Sequence, residues 1–153
     1  CKSAMISRST FFNYFGTKEY IIYLIVEEDI EDFRAYVDEL LSKNELDPIT
    51  IMRNAYSYIV KGTIKYRNII SVLYEFAIQN PEFKKLLREY SAIEQRTIRN
   101  AQEKGVIQKD IHEHLISVML HGCYMDILTK SEGNDLESEF SESFNAVISL
   151  LKV

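Results

Sequence analysis

Both prolines of this 153-residue chain directly follow an Asx residue, as Asp47-Pro48 and Asn80-Pro81. An Asx side chain can accept hydrogen bonds from the free amides of a first helical turn. Proline suits the first helical position, where its missing N–H is not needed and its φ is already helical. The two pairs therefore predict two helix starts. Each is followed by apolar residues at helical spacing: Ile49, Met52, Tyr56, Ile59 and Val60 after the first, and Leu86, Leu87, Tyr90, Ile93 and Ile98 after the second. Gly62 and the basic group Lys65-Tyr66-Arg67 predict a bend in the first helix before Ile69 to Gln79. The second runs from Phe83 to Lys104 and stops at Gly105.

The rest of the chain repeats this punctuation. Thr17 to about Ser42 reads as one long helix, with Ile22, Ile25, Val26, Phe33, Val37, Leu40 and Leu41 near helical spacing. Glu27, Glu28, Asp29, Glu31 and Asp32 crowd its middle as a solvated face. Asp110 and Glu113 form an Asp-x-x-Glu arrangement resembling a capping box, and Leu115, Val118, Met119, Gly122, Met125 and Leu128 run along the helix that follows. Gly133 stops that helix and Asn134, with Glu137, caps the last one, whose stripe is Phe140, Phe144, Val147, Ile148 and Leu151. No strand-length alternation, internal repeat or low-complexity tract interrupts the pattern. The fold class is all-α, a helical bundle behind a short head.

That head is residues 6 to 18. Ser7 can cap a short helix, Gly16 can end it, and Thr17 can cap the long helix beyond. Phe11 and Phe15 fall on one face with Phe12 at its flank, and Ser9, Thr10, Asn13 and Tyr14 fall on the other. So short a helix is not stable alone, so its aromatic back needs neighbours. Its front offers hydroxyl, amide, phenol and guanidinium groups, the types that contact phosphates and base edges in a DNA major groove. Charge follows the same division. Residues 1–18 carry Lys2, Arg8 and Lys18 with no acid, a net +3, while the remainder carries 15 basic and 23 acidic side chains, a net −8. A basic tip on an acidic body suits a protein that offers nucleic acid one end only.

Ser7-Arg8-Ser9-Thr10-Phe11-Phe12-Asn13-Tyr14-Phe15-Gly16-Thr17-Lys18-Glu19 closely resembles the recognition helix and following turn of TetR-type (tetracycline-repressor-like) transcriptional regulators. The usual wording there is Ser-Arg-x-Thr-aromatic-Tyr-x-Tyr/His-Phe-x-Ser/Thr-Lys-Glu. In detail the resemblance covers roughly the first twenty residues, and beyond them the helix order matches. It implies a partial helix-turn-helix head at 1–18 and a helical ligand-binding and dimerisation domain at 19–153. It also implies a ligand-responsive regulator, a repressor, that binds palindromic operator DNA as a homodimer. Ser7, Arg8, Ser9, Thr10, Phe12, Asn13, Tyr14 and Lys18 would then meet the double-stranded operator. Two positions depart from the pattern. Ala4-Met5-Ile6-Ser7 stands where the family often has Ala-Gly-Val-Ser, and a non-glycine in a left-handed turn costs about 1 kcal/mol. Phe12 replaces a tyrosine that touches a phosphate. With only Cys1 to Met5 ahead of the turn, most of the first part of the head is expected to be absent, and operator binding by this chain to be poor.

Tyr56, Tyr58, Tyr66, Tyr74, Phe76, His121, Cys123 and Tyr124 concentrate amphipathic aromatics in the middle of the chain. Such rings can line a cavity for a mostly apolar molecule, or pack a core with each hydroxyl reaching water. The resemblance implies the first. It places an effector cavity between the helices at 48–79 and 110–130, with Tyr56, Tyr58, Tyr74, His121 and Tyr124 on its wall. It likewise implies a dimer through the last two helices, using Leu115, Met119, Gly122, Phe140, Phe144, Val147 and Leu151, although the same stripes can instead close the subunit's own core. The second functional reading is a helical ligand-binding or scaffold module that does not read DNA.

Enzymatic and cofactor chemistry is not expected. His114 and His121 lie two turns apart, His121 and Cys123 fall on different helix faces, and Cys1 and Cys123 belong to no metal spacing. No nucleophile–base order, paired-carboxylate site or phosphate-cradling loop is present. No apolar run approaches the ~20 residues of a membrane span, and the two separated cysteines suit a reducing cytoplasm.

Overall fold

A computed structural model of the protein describes residues 7, 17–130 and 135–153, apart from the side chains at 18, 19 and 67–78. Arg8, Ser9, Thr10, Phe12, Asn13 and Tyr14, the side chains of Lys18 and Tyr74, and the expected stop and cap at Gly133 and Asn134 all lie outside the described residues. Ser7 is exposed and non-helical.

Among the described residues five helices follow one another: α1 (Lys18–Ser42), α2 (Pro48–Gln79), α3 (Pro81–Glu103), α4 (Glu113–Lys130) and α5 (Leu136–Leu151). Their starts are chemical. The Thr17 hydroxyl accepts from the Tyr20 amide at 3.2 Å. Asp47 Oδ2 accepts from the Thr50 amide at 2.9 Å, and Asn80 Oδ1 from the Glu82 amide at 2.9 Å. These side chains satisfy amides that a helix start leaves without partners. Gly105, at φ 71°, ends the run after α3 as a left-handed stop. The bend expected in α2 is at Tyr66, whose φ of −109° and ψ of 19° are not helical.

The start of α4 differs from expectation. The cap is His112, not Asp110: His112 Nδ1 accepts from the His114 amide at 3.1 Å, and its carbonyl accepts from the Leu115 amide at 2.8 Å. The chain cannot turn helical at Asp110 because it is pinned on both sides. Gln102 Nε2 donates to the carbonyls of Gln108 at 2.9 Å and Ile111 at 2.6 Å, and the Gln108 amide donates to the Leu151 carbonyl at 2.8 Å. Ile107 also forms an isolated antiparallel bridge with Lys152.

α2 and α3 pack on each other at the centre, with α1 against both on one side and the α4–α5 hairpin on the other. The core runs continuously from Phe33 and Val37 through Met52, Tyr56, Ile93 and Ile98 to Ile116, Leu120 and Phe144. Phe140, Phe144, Val147 and Leu151 belong to it. All four are buried within the subunit, and Tyr56 of α2 lies 5.9 Å from the Phe140 ring and 6.0 Å from Phe144, centroid to centroid. These four, expected at a dimer surface, lie inside the subunit. α5 has one apolar face, and burial against α2 and α4 uses it, at roughly 1.5–3 kcal/mol per side chain.

Candidate ligand cavity

Behind α1 lies a cavity of about 160 Å³, partly open to solvent. α1 supplies Ile22, Ile25, Val26 and Asp29, α2 supplies Ile59, Gly62, Thr63 and Tyr66, α3 supplies Phe83, Leu87 and Tyr90, and α4 supplies His121 and Tyr124. The bend in α2 brings Tyr66 to this wall. Mostly apolar walls with a few convergent polar groups are what a small-molecule site requires, and a space of this size can hold about one aromatic ring with further atoms toward the opening.

The polar groups belong to two clusters. At the first, Glu94 of α3 is wholly buried, at 0% exposure, and acts as a hub. The Tyr56 hydroxyl donates to Glu94 Oε1 at 3.2 Å, the Ser117 hydroxyl donates to the same oxygen, and His121 Nδ1 lies 3.3 Å from it. The other carboxylate oxygen, Oε2, is buried and has no hydrogen-bond partner among the described residues. Burial pulls the His121 pKa down, but the hydrogen bond and charge of Glu94 outweigh it, so the imidazole is held above its ordinary value. Burial, and then the same carboxylate, push the Tyr56 phenol well up. Beside this cluster the hydroxyls of Thr63 and Tyr124 share a short hydrogen bond, and Thr63 donates to the Ile59 carbonyl at 3.0 Å.

The second cluster centres on Asp29. Its Oδ1 accepts from the Tyr58 hydroxyl at 3.4 Å. Desolvation raises its pKa, the Tyr58 bond works the other way, and Asp32 adds to the rise. Tyr58 stacks on Phe33 at 5.1 Å, and Phe33 stacks on Tyr90 at 4.6 Å, so a column of rings stands beside the carboxylate.

Of the aromatic residues expected on the wall, His121 and Tyr124 are there. Tyr56 and Tyr58 stand one layer back and orient Glu94 and Asp29. The α1 and α3 walls, and Glu94 itself, are not part of the sequence reading. A signal for Glu94 exists: it lies four residues from both Tyr90 and Ile98, on the apolar side of α3, where an unpaired carboxylate would be costly. Of the residues expected at a dimer surface, Leu115 is 53% exposed, Gly122 is exposed and Met119 is half-buried.

No family model matches the sequence. The chain is 25% identical over 154 residues to the HTH-type transcriptional regulator UidR of Escherichia coli K12, covering 97% of this chain and 78% of that protein, and equally to UidR of Shigella flexneri. Among solved structures it is similar to Thermus thermophilus FadR, a TetR-family transcriptional repressor in complex with lauroyl-CoA. That match has a TM-score of 0.70 at 21% identity and covers 99% of this chain and 82% of FadR. It is also similar to PfmR, a TetR-family regulator of Thermus thermophilus, with a TM-score of 0.73 at 16% identity, covering 97% and 84% of the two chains. This is the TetR-family fold. Along the chain, α1 follows Thr17 and supplies one wall of the cavity, and α4 supplies another through His121 and Tyr124.

Proposed function

We propose that the protein is a ligand-responsive transcriptional repressor that binds palindromic operator DNA as a homodimer and releases it when an effector fills the cavity behind α1. The observation that carries this reading is continuity. Thr17, which closes the head motif, caps α1, and from the second turn on the same helix becomes a cavity wall through Ile22, Ile25, Val26 and Asp29. An occupant that displaces α1 necessarily moves whatever precedes Thr17. Coupling of this kind needs only differential affinity of the effector for two positions of α1.

In this reading Arg8, Ser9, Thr10, Asn13 and Tyr14 meet the operator, and the +3 head approaches the duplex while the −8 body is repelled from it. Two copies associate through the outward faces of α4 and α5. Leu115 and Val118 are 53% and 50% exposed there, Leu150 is 70% exposed, and an added Cβ at Gly122 would meet nothing within 4 Å, leaving room for close approach of a second helix. Two-fold symmetry then sets the spacing of the operator half-sites. The working place is the cytoplasm. Among the described residues no helix is long and apolar enough to cross a membrane.

Selection from a random duplex pool tests the proposal. Palindromic sequences should be enriched and should match the region upstream of the protein's own operon. Recovery of no common sequence, both by this chain and by one given a full helix-turn-helix head, would leave the helical ligand-binding module that does not read DNA.

A further inference from the structure

The wall chemistry of the cavity narrows the effector, and this inference rests on the proposed effector role of that cavity. Two ionisable side chains face it, and they are not equivalent. His121 meets the buried Glu94 behind the wall at 3.3 Å, so that pair is neutral as a unit when the imidazole is protonated. Among the described residues Asp29 has one side-chain hydrogen bond, the long 3.4 Å bond from Tyr58. Among the described residues no lysine or arginine lines the cavity, and none lies within ion-pair distance of Asp29. Lys65, the nearest basic influence, places its ammonium over the Tyr66 ring, 4.8 Å from the centroid.

Among the described residues, Asp29 is therefore a carboxylate without an ion-pair partner in a wall that is mostly apolar or aromatic. A carboxylate in such surroundings is short of counter-charge. The rings of Phe83 and Tyr90 on the same wall are of the kind that attracts cations. Glu28 and Asp32 flank Asp29 on α1, so the local field draws positive charge toward the opening. An anionic head group would meet Asp29 at once, with the one facing imidazole already committed to Glu94.

We infer that the effector is a lipophilic cation: a mostly apolar molecule with one ammonium-type charge at Asp29 and its body against Ile22, Ile25, Phe83 and Leu87. It differs in kind from lauroyl-CoA, the ligand in the FadR structure, whose head group is anionic.

Isothermal titration calorimetry on DNA-free protein separates the possibilities, using decyltrimethylammonium, decanol and decanoate below their micelle-forming concentrations, and lauroyl-CoA. The ammonium compound should bind roughly tenfold or more tighter than decanol, the scale of one ion–carboxylate and ring contact, and decanoate should bind most weakly of the three. Asp29→Asn should remove the ammonium's advantage and leave decanol unchanged. Decanoate or lauroyl-CoA binding as tightly as the ammonium compound would overturn the inference while leaving the cavity an effector site, as would an advantage that survives Asp29→Asn. Failure of all four to bind would overturn the effector role of the cavity itself. The order among wild-type affinities decides the matter even if the variant does not fold.

Discussion

Replacing Glu94 by leucine tests the hub behind the cavity. The side chains are similar in size, so the change is mainly chemical. Tyr56 and Ser117, each 2% exposed, would lose the carboxylate oxygen that accepts from their hydroxyls. Each orphaned buried donor costs about 1–3 kcal/mol, and the contact of Tyr56 with Ser117 together with removal of Oε2 returns part of it. His121 faces the cavity and adds little, since water reaches it. The net loss is on the order of 2 kcal/mol, or roughly 4–8 °C in Tm for a domain of this size. Urea unfolding followed by helical circular dichroism, at matched protein concentration because association also stabilises, measures it. Adding Tyr56→Phe and Ser117→Ala to Glu94→Leu removes both orphans, and the triple variant should recover to at least wild-type stability, as buried charge networks do when replaced whole. A Glu94→Leu protein as stable as wild type, or a triple variant no better than the single one, would refute the hub.

The His121 pKa is raised in the fold, so its contribution is complete below the unfolded value of about 6.5 and lost as pH rises through the folded one. His121→Gln should flatten the fall in urea midpoint as pH rises above about 6.5. Asp29→Asn should raise the midpoint at pH 7, because burial has raised the Asp29 pKa, and this gain should vanish below about pH 4, where the wild-type carboxyl is protonated in both states. In sedimentation, Leu150→Glu with Val118→Glu should give folded monomers, whereas Phe144→Ala should lower stability by about 3–5 kcal/mol through a core cavity. On a selected operator, Asn13→Ala should lose about 1–3 kcal/mol and relax sequence preference. Lys18→Ala should weaken binding to all duplexes alike and reduce the salt slope by about one unit.

What the sequence made legible was mostly local. Thr17, Asp47, Asn80 and Gly105 set helix boundaries through contacts within a few residues, and the structure places them where those residue types predict. The bend at Tyr66 was equally readable. Asp110 was not, because the bonds that displace the helix start to His112 come from Gln102 and from the far end of α5. The same limit governs the cavity. His121 and Tyr124 stood out as polar aromatics on an apolar helix, but Asp29 sat in an acidic run that is otherwise solvent-facing, and only packing of α1 over α2 and α3 turns it inward. The stripe of α5 showed that one face is buried without showing against what. Phe140 and Phe144 meet Tyr56 across more than eighty residues of chain.

The clasp between the connection after α3 and the end of α5 has a kinetic meaning. With Ile107 bridged to Lys152 and the Gln108 amide bonded to the Leu151 carbonyl, a connection that would ordinarily fray is closed by the end of α5. Its amides should open together with α5 rather than before it, and exchange their hydrogens with deuterium on one shared timescale. The hairpin of α4 and α5 is then a fixed frame. Against such a frame a bound molecule directs its push at α1, which among the described residues is tied to its neighbours by side-chain packing and exposed ion pairs and not by backbone bonds.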